Sequence, residues 1–389
     1  MTRKVFEIAA VVMALGLLLV FWQRLMGVHG YLLASGQPLF GDFIAFWSAG
    51  HATLEGHVAQ VHDRVFLTHV QQTTIPGMHV MAPWNSPPPF LFFVIPFALL
   101  PYGPAAIAWL LTTGALYLFT ARKLLPDARS LVFAVTMPAA LYHLGTEQVG
   151  LLIAGLAGLA LYWLDKRPRA AGVLVGMLII KPHLALLWPF FLALTRRWNA
   201  FIAAAISSGV LVIGAGLVFG FESYVRFFHN LGPSQDLIAG VHVGKQTFGS
   251  LFGNLLALHV PTPFAIAGHA VSAAAAFVTA LWVFTRPVDW RAQAAALCAA
   301  TLLLSSYLFF YDFVLLGVGA ALLAPPRNKF EVTAMVFAWI AGMSVAFSYA
   351  IPLPLCPFSA WLVLIAALRR TMVKRAESAP PHLAPALQP

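Results

Sequence analysis

Asp42 stands in the run Phe40-Gly41-Asp42-Phe43-Ile44-Ala45-Phe46-Trp47, a carboxylate among aromatic and aliphatic neighbours. Poor solvation makes a carboxylate a stronger base, suited to taking a proton from a hydroxyl. The plain alternative is an N-cap for a helix that starts at Phe43. Lys181 closes the apolar run Gly176-Met177-Leu178-Ile179-Ile180 and is followed by Pro182 and His183. A cation there suits a phosphate; the alternative is a lysine that snorkels to a membrane surface. Glu147 and Gln148 follow closely on Tyr142 and His143. This group has the donors and acceptors to bind a sugar or relay a proton, or it is a solvated helix end. Lys245-Gln246 and Tyr311-Asp312 have the same standing. Asp312 lies in a hydrophobic stretch and needs a partner, most economically a Lys or His from the same side of the membrane. His51, His57, His62 and His69 never fall three or four apart. They lack the helical spacing of a metal site, so no metal is expected. No phosphate-cradling glycine loop and no Gly-x-Ser-x-Gly elbow occurs, and no cofactor is implied.

The elements that must position these residues belong in a membrane. Of 389 residues, 60% are hydrophobic and only 9% are charged, against roughly 25% charged in a soluble protein. That excludes a cytoplasmic enzyme and a nucleic-acid-binding protein, despite a net charge of +10. Helix-length apolar runs such as 5–26 and 201–219, without the short alternating segments of a barrel, give an all-α polytopic class. Cys298 and Cys356 sit inside apolar segments and form no disulfide framework.

Most of the 23 Lys and Arg fall in clusters: 3–4, 122–129, 166–169, 196–197, 286–291, 327–329 and 369–375. Positive charge collects on the cytoplasmic side. If every cluster is inside, spans come in pairs: 5–26, 103–121, 129–144, 148–164, 168–181, 182–195, 198–220, 263–285, 291–308, 310–324, 330–349 and 352–369. That gives about twelve transmembrane helices with both termini cytoplasmic. The hairpin 168–195 is short for two crossings of ~30 Å, so its polar tip at Lys181 is expected beside an outer cavity. Two long segments, 27–101 and 221–261, lie outside. Within the first, Phe43–Leu54 and Asp63–Thr74 read as amphipathic helices, and Pro87–Leu100 as a helix dipping into the outer leaflet. Residues 1–375 form one domain, and 376–389 read as a disordered tail.

These pieces resemble glycosyltransferase family 87, polyprenyl-phosphate-mannose-dependent enzymes of the GT-C superfamily. The likeness runs through Gly41-Asp42-Phe43 to Trp47 and Gly50, then Asn85-Ser86-Pro87-Pro88 leading to Phe97–Gly103, then Gln148-Val149-Gly150-Leu151-Leu152, then Ala171-Gly172 to Lys181-Pro182-His183. It covers roughly residues 1–260. Two departures stand out: Glu147 replaces the glycine usual before Gln148, and the late motif, Ser306 to Phe313, has no His. The resemblance implies a GT-C-like helical bundle in the cell inner membrane, with its site facing the periplasm or exterior. It implies Asp42 as catalytic base and Lys181 at the donor phosphate; His183 is read beside Lys181 at that phosphate, and Trp47 and Asn85 are read as substrate-binding candidates. The implied donor is a polyprenyl-phosphate hexose, with mannose foremost, and the acceptor a glycolipid or glycan. A transporter or flippase of lipid-linked sugars is the rival reading; it calls for two related halves with broken helices, and no internal repeat is visible.

Overall fold

The computed structural model describes residues 3–26, 28–79, 81–124, 128–240, 248–343 and 354–377. It is helical throughout, and β pairing among the described residues is confined to isolated bridges. α1 (Arg3–Leu25) leads to α2 (Phe43–Leu54) and α3 (Arg64–Thr74). A single turn at Pro88–Phe90 then precedes α4 (Leu91–Ala98). α5 (Tyr102–Leu124) is followed by three short pieces, α6 (Ala128–Thr136), α7 (Pro138–Leu141) and α8 (His143–Thr146). Next come α9 (Gly150–Trp163), α10 (Pro168–Met177), α11 (Pro182–Ala185), α12 (Trp188–Leu194), α13 (Trp198–Phe219) and α14 (Glu222–Gly240). α15 (Leu251–Ala257), α16 (Thr262–Phe284), α17 (Trp290–Leu304), α18 (Val314–Ala321), α19 (Lys329–Ile340) and α20 (Leu355–Glu377) complete the chain.

Among the described residues four helices are long and apolar enough to cross a membrane: α5, α13, α16 and the 355–372 part of α20; several shorter apolar helices accompany them. This is the pattern of a polytopic membrane protein. The expected single span at 129–144 is instead broken into α6, α7 and α8. Pro138 has no N–H to continue a helix and opens α7 at its first turn. The expectation that α2 is amphipathic also fails. Nine of its residues, Phe43 to Gly50 and Ala52, are buried, because α3, α4 and α5 all pack around it. The expected tail at 376–389 lies almost entirely outside the described residues.

Small residues set a close crossing between α10 and α13. Gly172 and Gly176, four apart on α10, face Ala200, Ala203, Ala204 and Ser207 of α13, and a Cβ at either would run into that helix. Small faces let membrane helices pack backbone to backbone. This contact fixes α10, and α10 carries the turn Leu178–Ile180 that ends at Lys181.

Basic residues tie the helix ends together at one end of the bundle. Arg197 pairs with Asp165, and Arg291 donates to the carbonyls of Ala324 (3.1 Å) and Leu124 (3.4 Å). Buried Arg370 grips the Glu331 carboxylate with two bonds of 2.9 and 2.8 Å. α5, α9 and α18 each have one end near these basic residues. Their opposite ends begin at Tyr102, Gly150 and Val314, next to the residues described below.

Candidate active site

Asp42 is placed by a contact that only glycine permits. Gly41 has φ +48°, and a Cβ there would lie 2.6 Å from both the Gly145 oxygen and the Thr146 Cα. The Asp42 amide donates to the Thr146 carbonyl at 3.1 Å, so the start of α2 is laid against the end of α8. The Asp42 side chain makes no cap bond to α2. It accepts from Gln148 Nε2 at 2.7 Å instead. Asp63 shows what a cap looks like in this protein, accepting from the amides of Val65 and Phe66 at the start of α3. The N-cap alternative for Asp42 therefore has no side-chain bond behind it. The carboxylate is, however, exposed, not desolvated as its neighbours in sequence suggest. Those neighbours turn into the core with α2, while Asp42 stays on the turn before it.

Gln148 is carried by the same approach. A Cβ at Gly150 would meet His143 Nε2 at 2.6 Å and the Tyr311 carbonyl at 2.7 Å. The missing side chain brings the start of α9 against the 310–313 turn. His143 is fully buried, its Nδ1 2.9 Å from the Ala139 carbonyl and its ring edge-on to Tyr311 at 6.0 Å.

Lys181 and Asp312 form an ion pair. The Asp312 side chain is 0% exposed and that of Lys181 11%, so Lys181 is drawn into the protein and does not snorkel. The other Asp312 oxygen accepts from the Phe309 amide at 3.1 Å. The Lys181 ammonium also lies over the Tyr311 ring, 5.4 Å from its centroid. Asp312 thus has the lysine partner that its setting in the sequence demanded.

Tyr307 joins the two halves, and the sequence reading missed it. Its hydroxyl is hydrogen-bonded by the Asn85 side chain, and it lies within electrostatic reach of both Asp42 and Asp312. Tyr311 has the same two carboxylates around it. The Tyr307 ring meets His183 edge-on at 6.2 Å and Phe309 at 5.3 Å. His183 Nε2 is buried without a hydrogen-bond partner. The available signal was the density of aromatic residues around Asp312, which reads equally well as membrane filler.

Asp42, Asn85, His143, Gln148, Lys181, His183 and Asp312 are therefore neighbours through these contacts. Trp47 is engaged elsewhere: its indole N–H donates to the Leu100 carbonyl at 2.9 Å and its ring stacks on His51 at 4.5 Å. Glu147 is buried in left-handed conformation (φ 42°), and its carbonyl accepts from Trp109 at 2.9 Å. It is not a solvated helix end. Lys245 and Gln246 lie outside the described residues. Among the described residues no three His, Cys, Asp or Glu side chains gather as a metal site. Beside Pro182 an apolar cleft of about 260 Å³ opens between α10, α12 and α13, lined by Ile179, Leu186, Trp188, Phe201 and Ala204.

The sequence model of glycosyltransferase family 87 matches residues 84–309, more than half of the chain, and the chain belongs to that family. The match begins after Asp42 and runs beyond residue 260, where the resemblance read from the motifs ends. Asn85, Gln148, Lys181, His183 and Tyr307 fall inside it, with Asp312 just past its end. No curated protein and no solved structure matches the chain.

Proposed function

We propose that this family 87 glycosyltransferase moves a hexose, mannose foremost, from a polyprenyl phosphate to a hydroxyl of a glycolipid or glycan on the outer face of the inner membrane. Asp42 takes the acceptor proton as the hydroxyl oxygen attacks the anomeric carbon. The bond from that carbon to the phosphate oxygen breaks with inversion, and the polyprenyl phosphate leaves with the electron pair. Lys181 and His183 meet the charge that develops on it. An ammonium has three N–H donors; Asp312 takes one, leaving Lys181 able to reach a phosphate oxygen without losing its buried partner. Tyr307 supplies a hydroxyl between the base and the cation.

The observation that carries this reading is the joining of an exposed carboxylate, Asp42, to a buried cation, Lys181, through Tyr307 and Tyr311. The apolar cleft beside Pro182 suits an isoprenoid chain whose phosphate lies at Lys181. The basic helix ends lie at the other end of α5, α9 and α18, which supports an outward site by the positive-inside bias. About twelve crossings in a GT-C-like bundle, with both termini cytoplasmic, fit the same arrangement.

The test is transfer by purified protein in vesicles, with mannosyl polyprenyl phosphate and a membrane extract as acceptor source. Release of polyprenyl phosphate coupled to an α-linked product is expected. Asp42→Asn should cut turnover ~10²–10⁴-fold at unchanged expression. Transfer from a nucleotide sugar with no lipid intermediate would overturn the donor assignment, and full activity in Asp42→Asn would remove the base.

A further inference from the structure

At the end of α13 the chain turns a corner that carries an apolar surface with it. α13 has 22 residues, about 33 Å at 1.5 Å per residue, which matches the ~30 Å hydrocarbon layer. Its apolar face runs through Ile202, Ile206, Val210, Ile213 and Leu217, all more than half exposed, as lipid-facing residues are. Phe219 therefore ends at a membrane surface. Gly220, at φ +80°, makes the turn. The ring of Phe221 folds back into the space left by the missing side chain of Gly216.

α14 and Phe221, the residue just before it, then carry three interleaved stripes, each spaced i, i+4, i+7. Ser223, Phe227 and Asn230 face the protein. The first two are buried, the Phe227 ring is 5.9 Å from that of His62, and Asn230 donates to the His62 carbonyl at 2.8 Å. Glu222, Arg226 and His229 are exposed, with Arg226 3.3 Å from Glu222. Phe221, Val225 and Phe228 are 59%, 61% and 64% exposed. At 100° per residue the stripes lie about 100° apart around the axis. One face thus rests on the 58–62 turn, one is charged and one is apolar. The Tyr224 hydroxyl reaches back to the Val212 carbonyl on α13 at 2.6 Å, which fixes the rotation of α14 about its axis.

A helix standing off in water has no use for the third face, and a helix within the hydrocarbon has no place for the second. We infer that α14 lies along the membrane–water interface, with Phe221, Val225 and Phe228 inserted among lipid acyl chains and Glu222, Arg226 and His229 turned to water. Its occupant is the lipid surface itself, continuous with the lipid-facing stripe of α13. α14 packs on the 58–60 and 88–90 turns, and the latter touches the 178–180 turn before Lys181. An interfacial α14 therefore holds the neighbourhood of Lys181 at headgroup depth. The inference depends on α13 spanning the bilayer and not on the glycosyltransfer reading.

The experiment is a spin-label scan. Single cysteines replace residues 221–230 in the full chain, in vesicles of phosphatidylcholine and phosphatidylglycerol; Cys298 and Cys356 are buried and stay unlabelled. Collisions with oxygen, which concentrates in lipid, are compared with collisions with a water-soluble nickel chelate. Oxygen should dominate at 221, 225 and 228, nickel at 222, 226 and 229, and both should be weak at 223, 227 and 230. Nickel accessibility at 225 and 228 equal to that at 226 and 229 would overturn the inference by showing a helix in water. Weak collisions with both reagents at 225 and 228 would overturn it by showing a protein partner on that face.

Discussion

Lys181 and Asp312 are unequally buried, and the inequality sets what each substitution costs. Lys181→Met leaves the Asp312 carboxylate, 0% exposed, with only the Phe309 amide at 3.1 Å. Breaking a buried pair from this side costs ~3–5 kcal/mol, since the remaining charge cannot reach water. Asp312→Asn keeps an oxygen for the Phe309 amide, and the ammonium left behind is 11% exposed on a flexible stem. That change costs less, ~1–3 kcal/mol. Lys181→Met with Asp312→Asn leaves no buried charge, and most of the loss should return, a coupling of ~4 kcal/mol, the penalty of a lone buried charge. At roughly 2 °C per kcal/mol for a chain of this size, Lys181→Met lowers the apparent Tm by ~6–10 °C and the double variant by about half of that or less. Unfolding in detergent, followed by intrinsic tryptophan fluorescence, reads the stability arm. Donor titration in vesicles reads the other: the double variant should be stable yet still bind mannosyl polyprenyl phosphate weakly, because the cation is gone. Additive Tm losses would refute the buried-pair reasoning. Normal donor affinity in the double variant would refute the phosphate role of Lys181.

Tyr307→Phe keeps the ring against His183 and Phe309 and removes the hydroxyl; turnover should fall ~10–100-fold, the worth of a hydrogen bond to a charged group, with Tm unchanged. A Tm drop with normal turnover would make Tyr307 a packing residue. Gly41→Ala forces a side chain into left-handed backbone and against Gly145 and Thr146; it should cost ~2–4 kcal/mol, seen as lower Tm and weaker transfer together. His62, outside the spans, has its pKa lowered to about 4 by burial. Below the ordinary value near 6.5 the unfolded chain takes up a proton that the folded one refuses. His62 therefore stabilises the fold fully above pH 6.5 and progressively less toward pH 4, a swing of ~3 kcal/mol. His62→Phe should flatten that part of the Tm–pH curve, and an unaltered slope would show that other groups cause it.

Helix positions were legible wherever polar or proline punctuation marks an end. Phe43–Leu54 is found where expected, and α13 and α16 lie within one residue of the spans drawn from the basic clusters. Breaks inside apolar runs were not legible, since Pro138 reads equally well as a kink in a continuous span. The partner of Asp312 followed from the cost of a lone buried acid, which names the type of residue needed and narrows the choice to few. Tyr307 was not found, because its role depends on Asn85 and His183, distant in sequence, and nothing local marks it. The solvation of Asp42 was misjudged for a related reason: apolar neighbours in sequence need not surround a side chain that stays behind on the turn.

The contacts that build the site span long stretches of chain, 106 residues between Asp42 and Gln148 and 131 between Lys181 and Asp312. In a chain made from its N-terminus, the hairpin tip with Lys181 is synthesised well before its counter-ion. For that interval the ammonium has no Asp312 and must keep its own water, so the 178–183 turn cannot yet settle against the rest of the bundle. Asp42 and Gln148 meet earlier, once α8 and the start of α9 are in place. The site is thus completed in two stages during biosynthesis. A chain released just after α17 would hold Asp42 and Gln148 together while leaving Lys181 without its acid.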